Sequence, residues 1–146
     1  MDGSTVRSGL SNELAYSPAD RAEHLRRVAE VCKILNDQGI IVICSFISPK
    51  ENIRQQLAEI INNQHISASA HQQRFHLIYT HASLDYCKSH KPEFYQKVEK
   101  GEYLIVPGID EVFEEPKDAN LILDGTKTEQ GVKEVMEYVE KNMLIS

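Results

Sequence analysis

The chain has 146 residues, of which 41% are apolar and 26% charged, the usage of an ordinary folded domain rather than a disordered or fibrous one. Sixteen Lys and Arg against 22 Asp and Glu give a net charge of −6, which excludes nucleic-acid binding by a general basic surface and leaves room only for a local cationic pocket. No apolar run reaches the length of about 18 residues that a membrane span needs, and Met1 to Asn12 has neither a basic nor an apolar leader region, so neither a membrane nor a secretory route is expected. Length alone predicts a single domain over 1–146.

The opening segment, Met1 to Leu14, reads as a loop. The clearest local signal follows it. Ser17 as N-cap, Pro18 in the first turn, Asp20 at the third position and Gly39 as terminator bracket a helix whose Leu25, Val28, Cys32 and Leu35 share one face. Ile40 to Phe46 is a largely apolar, β-branched run too short for a helix, and predicts a central parallel strand covered on both faces. A second helix is expected from Pro49 to about Ile61, with Ser48 either as its N-cap or as a ligand contact. Asn62 to Arg74 is polar and predicts a loop.

Phe75 to Thr80 is the second strand candidate, followed by short helices from about Ser83 to His90 and from Pro92 to Lys100. Gly101 to Asp118, with two prolines and Gly108, predicts a long ordered loop. Asn120 to Asp124 is a third strand. Thr126 and Glu129 predict a capping box for the last helix, whose Val132, Val135, Met136, Val139 and Met143 are expected to face the core. Strands alternating with helices imply a three-layer α/β fold with a parallel sheet, and ligands in such sheets bind beyond the carboxyl ends of the strands.

Cys32, Cys44 and Cys87 sit singly with no CxxC pair, which points to free thiols in a reducing, cytoplasmic compartment. Cys44, inside the apolar run, is expected in the core. The six histidines form no zinc pattern with the cysteines. Arg7, Arg21, Arg26 and Arg27 are cationic candidates for gripping an oxyanion, because a guanidinium fork binds such groups in bidentate fashion. For Arg26 and Arg27 a solvated helix surface is an equal alternative.

Met1-Asp2-Gly3-Ser4-Thr5-Val6-Arg7, then Tyr16-Ser17-Pro18-Ala19-Asp20-Arg21-Ala22-Glu23-His24, then Ser45-Phe46-Ile47-Ser48-Pro49 resemble adenylyl-sulfate kinase in order and spacing. The resemblance continues through Tyr95 to Gly101, Gly108-Ile109-Asp110, Glu114-Glu115-Pro116 and the Leu121 to Asp124 strand. It implies the fold of P-loop nucleoside-triphosphate hydrolases and transfer of a phosphoryl group from Mg-ATP to the 3′-hydroxyl of adenosine 5′-phosphosulfate. Carried across by position, it implies Asp2 as the catalytic carboxylate near the reacting hydroxyl. Arg7 and Arg21 would hold phosphosulfate oxygens, Tyr16 would stack on adenine, and His24, Ile47 and Ser48 would line the same pocket.

Several positions depart from the family pattern. Ser4 and Thr5 stand where it has aspartate and asparagine, His24 where it has asparagine, and Lys50-Glu51 where it has Tyr-Arg. His90-Lys91-Pro92 replaces an Arg-Asp-Pro motif, and Leu104-Ile105-Val106 replaces a Lys-x-Phe motif. The phosphate loop GxxxxGK[ST] occurs nowhere in the 146 residues. Two alternatives stay open: an N-terminally incomplete or impaired kinase domain, or a non-catalytic nucleotide-binding or interaction module derived from it. The resemblance also implies that the family fold's first strand, which lies mid-sheet, is absent with that loop, and a homodimer that closes the gap is a further partner expectation.

Overall fold

The structure is a computed structural model that describes residues 1–63, 73–103 and 105–144. The chain forms two compact units, one of residues 1–75 and 112–115 and the other of 76–111 and 116–146.

In the first unit, α1 (Gly3–Arg7) stands where a loop was expected, nucleated by Asp2 as its N-cap. The α2 helix (Pro18–Asp37) has the predicted ends: the Asp20 N–H donates to Ser17 Oγ at 3.1 Å, and Gly39 takes a left-handed φ of 78° that a side chain would strain. The α3 helix (Glu51–Asn62) begins two residues later than predicted. Lys50 is its N-cap, so Ser48 does not cap it. The orphan N–H of Glu51 is instead satisfied by the Glu114 carboxylate, at 2.8 Å. Val6, Val28, Ala29, Cys32 and Ile61 form the core, with Val42, Phe46, Leu57, Ile60 and Phe75 packed against it.

The Ile40 to Phe46 run is extended but is not the two-sided central strand that its composition suggests. Among the described residues its ladder is one parallel bridge, Asp2 with Ser45. Val42 and Phe46 turn toward the core, whereas Ile43 and Ile47 are 68% and 63% exposed. A continuous apolar run signals two covered faces only if a second layer is present, and within this unit one face is covered. Cys44 is correspondingly exposed rather than in the core. Most of the predicted polar loop, residues 64–72, lies outside the described residues.

In the second unit, β1 (Ile78–His81) pairs in parallel with β2 (Leu121–Asp124), Ile78 opposite Leu121 and His81 opposite Asp124. Between them run α4 (Leu84–His90), capped by Ser83, and α5 (Pro92–Glu99), both near their predicted bounds. The long segment after Gly101 is irregular, and its tight turn has the Gly108 N–H donating to the Glu111 carbonyl at 2.7 Å. The α6 helix (Thr128–Asn142) has no capping box. Thr126 donates from both its N–H and its hydroxyl to Asp124 Oδ1, at 3.0 and 2.6 Å, and so closes an Asx turn ahead of the helix. Val135, Val139 and Met143 are half-buried, but Val132 and Met136 of the predicted core stripe are more than half exposed.

Candidate functional site

The sequence places its candidate residues in the first unit, on α1, on the turn that follows it, at the start of α2 and after the extended run. Local hydrogen bonds hold them. Arg7, at the last position of α1, reaches over the following turn, where its Nη1 donates to the carbonyls of Leu14 and Ala15 at 3.0 and 2.9 Å. That turn presents Tyr16, a residue 62% exposed. The Arg7 guanidinium carbon sits 4.4 Å from the ring centre and that of Arg21 5.7 Å from it, both within cation–π range. Arg21, one turn into α2, also donates from Nε to the Tyr16 carbonyl at 2.9 Å. Two guanidinium groups thus converge on one aromatic ring in an otherwise acidic chain.

His24 lies one helical turn beyond Arg21 and is buried. Its ring meets Phe46 edge-on with centroids 5.5 Å apart, and its Nδ1 has no hydrogen-bond partner. Burial, and then the charges of Arg7 and Arg27, hold its pKa below the ordinary 6.5, so the imidazole is neutral near pH 7.

Asp2 is drawn to the same place by the bridge to Ser45, in which the Ser45 N–H donates to the Met1 carbonyl at 2.9 Å. Its carboxylate is already engaged. Oδ1 accepts from the Ser4 and Thr5 N–H groups at 3.0 and 3.1 Å, and Oδ2 accepts from the Thr5 hydroxyl at 2.7 Å. The Thr5 hydroxyl first, then the Thr5 N–H, hold its pKa below the usual carboxylate value. Next along the chain, Ile47 projects into solvent and Ser48 takes a left-handed φ of 41°, a strained conformation for a residue with a side chain.

Sequence reasoning missed the side chain that holds Ser48 in that conformation. Arg54 on α3 is 4% exposed, donates to the Ser48 carbonyl at 2.8 Å and to the Glu114 carbonyl at 2.7 Å, and pairs with Glu51. The available signal was register: Arg54 falls three residues before Leu57 and seven before Ile61, on the face of α3 that packs inward. Arg26 and Arg27, by contrast, are committed elsewhere. Arg26 pairs with Glu23 and Glu30, while Arg27 pairs with Glu23 and Glu13 and donates to the Leu10 carbonyl. Among the described residues, Asp2, Arg7, Tyr16, Arg21 and His24 are therefore linked through α1, Phe46 and the ring of Tyr16, with Ile47 and Ser48 continuing from Phe46.

Comparison with known proteins bears on this arrangement. The family model described as Adenylylsulphate kinase matches residues 1–124. The adenylyl-sulfate kinase of Staphylococcus carnosus is 36% identical over 148 aligned positions, covering 99% of this chain and 70% of that protein. That of Bacillus velezensis is 38% identical, covering 89% of this chain and 62% of its own length. The structure of the Mycobacterium tuberculosis APS kinase CysC in complex with AMPPNP and APS superposes with a TM-score of 0.85 at 30% identity, over 96% of this chain and 78% of that one. The likeness establishes the α/β fold of P-loop kinases, and on residues, architecture and relatives together the chain belongs to the adenylyl-sulfate kinase family.

Proposed function

We propose that the Arg7, Tyr16, Arg21 and His24 cluster is the acceptor half-site of an adenylyl-sulfate kinase and binds adenosine 5′-phosphosulfate. The convergence of Arg7 and Arg21 on Tyr16 carries this reading. Both bonds to the chain from Arg7 leave from Nη1, so Nε and Nη2 remain to donate as a fork to phosphosulfate oxygens. Tyr16 holds the two cations close together. Its ring already faces Arg7, so an adenine ring would have to share it rather than find it bare. Neutral His24, with Nδ1 unpartnered, can accept or donate one directed bond according to tautomer.

Asp2 acts in this reading by orientation. A carboxylate that already accepts three hydrogen bonds and is held below its usual pKa is a weak base, but Oδ2 accepts only one of them and can position the 3′-hydroxyl with a second. Ile47 and the Ser48 turn would close the pocket beside it.

The family's phosphoryl donor is Mg-ATP, which supplies the transferred group. The residues present do not fit it. GxxxxGK[ST] is missing from the 146 residues, and among the described residues no three His, Cys, Asp or Glu side chains gather to hold a metal ion. In our reading these residues bind the acceptor without turning ATP over unaided. The engagement of Asp2 as a helix cap equally favours a second reading, a nucleotide-binding module that performs no transfer.

Calorimetry on this chain tests the proposal. Adenosine 5′-phosphosulfate is expected to bind and ATP to show neither binding nor turnover; no heat with the phosphosulfate would overturn the acceptor reading. Phosphorylation of the acceptor by the chain alone would overturn the restriction to a half-site.

A further inference from the structure

Cys32 and Cys44 lie twelve residues apart in sequence, the first buried on the core face of α2 and the second exposed on the extended run, and their sulfurs are 3.4 Å apart. Neither is part of the acceptor cluster. We propose that Cys32 and Cys44 are a redox-active dithiol that closes to an intrachain disulfide on reaction with a hydroperoxide.

The two sulfurs already touch as a thiol–thiol hydrogen bond, and bond formation requires them to approach to about 2.05 Å. Rotation of the exposed Cys44 side chain can supply the movement, because the run that carries it is held in place. It is fastened at its start, where the Ile40 N–H donates to the Leu35 carbonyl at 3.1 Å and Asn36 Nδ2 donates to the Ile40 carbonyl at 2.9 Å. It is fastened again by the bonds of Met1 with Ile43 and Ser45. Those last bonds flank Cys44 and keep its sulfur beside that of Cys32.

The two thiols are also unequal in a useful way. Cys44 is open to an oxidant, while Cys32 is 5% exposed and faces Cys44. The hydrogen bond from Cys32 lowers the Cys44 pKa to about 7, and the same bond together with burial pushes that of Cys32 up. The thiolate is the reactive form, so the exposed sulfur is the one populated for attack.

In the first step the Cys44 thiolate attacks one peroxide oxygen. An S–O bond forms, the O–O bond breaks and takes the electron pair, and the departing alkoxide or hydroxide picks up a proton. Cys44 is then a sulfenic acid. In the second step the Cys32 sulfur attacks the Cys44 sulfur, the S–S bond forms, the S–O bond breaks, and hydroxide leaves as water with the Cys32 proton. Two thiols are oxidised by two electrons in all, and one hydroperoxide is reduced to an alcohol and water. The product ties α2 to the run that leads into Ser45 to Ser48.

The reduced chain treated with hydrogen peroxide tests this. Titratable thiols are expected to fall from three to one, the intact mass to drop by two hydrogens, and a tryptic digest to contain the 28–33 peptide joined to the 34–50 peptide. Cys87→Ser should lose both remaining thiols in the same way. The proposal is overturned if Cys44 accumulates as sulfinic or sulfonic acid without cross-linking, if the joined peptide contains Cys87, or if the thiol count does not change.

Discussion

The carboxylate of Glu114 accepts the backbone N–H of Glu51 at 2.8 Å from 63 residues further along the chain, and so caps a helix whose own N-terminus carries no capping side chain. Lys50 contributes an ion pair to the same carboxylate, and the Glu114 N–H returns a bond to the Pro49 carbonyl at 2.9 Å. Glu114→Ala should lower the thermal midpoint by about 4 °C, the scale of one lost helix cap in a domain of this length. Glu114→Gln, which keeps an acceptor, should recover most of that. Equal midpoints for wild type and Glu114→Ala in a denaturation scan would show that the cap contributes nothing.

Arg54→Ala should be more damaging. It strands the Ser48 and Glu114 carbonyls, both of which accept from the buried guanidinium, and leaves Glu51 without its partner. A loss of about 2 kcal/mol or more in urea unfolding is expected from orphaning such groups. Arg54→Lys reaches one acceptor at a time and should recover only part, with the released Ser48 turn read out as faster amide exchange across 46–49.

His24 and a set of hydrogen-bonded carboxylates, Asp2, Glu13, Glu23, Glu114 and Asp124, all make the protein less stable in acid. His24 has a folded pKa below 6.5, through burial and then the charges of Arg7 and Arg27, so just below pH 6.5 the unfolded chain binds the proton and the folded chain does not. Stability should therefore begin to fall as pH drops through 6.5, and His24→Phe should flatten that part of the profile. Glu23, held down to about 2 by hydrogen bonds from Arg26 and then Arg27, has the same sign in a lower window. Its contribution is present above about pH 4.5 and is lost between there and pH 2. Glu23→Gln should shrink the second limb of an acid titration followed by circular dichroism, leaving the part that Asp124 and the other lowered carboxylates contribute.

For ligand binding, Arg21→Ala should weaken adenosine 5′-phosphosulfate by about tenfold or more, the scale of one charge-assisted fork. Arg26→Ala should leave the affinity unchanged, because its guanidinium is taken up by Glu23 and Glu30. Calorimetric titrations of the two variants in parallel give the comparison, and equal losses for both would indicate a general charge effect instead of a site.

Where the signals were local, the fold was legible. Ser17, Pro18 and Gly39 fix the ends of α2 because caps, ring closure and a left-handed turn act within a few bonds of the residue concerned. The β1 and β2 strands are found within a few residues of their predicted positions for the same reason. What the sequence hid was set by distant partners. The Ile40 to Phe46 run has strand composition, but composition does not reveal whether a second layer covers its outer face. Thr126 carried a capping-box pattern, yet Asp124 two residues earlier competes for its N–H and hydroxyl. Ser48 looked like a cap while the cap was Glu114, and the nearness of Cys32 to Cys44 follows from the way the chain doubles back after Gly39. Of the candidate site, the residue types were readable from motif order, whereas Asp2 as a helix cap and Arg7 against Tyr16 depend on geometry.

The bare side of the Ile40 to Phe46 run has a consequence for handling the protein. Seven consecutive residues without charge or proline, with Ile41 and Ile43 open to water, have the makings of a seed for fibre growth by stacking of copies. Heated or concentrated samples should convert to thioflavin-positive material from this window first, and Ile43→Lys should delay the onset.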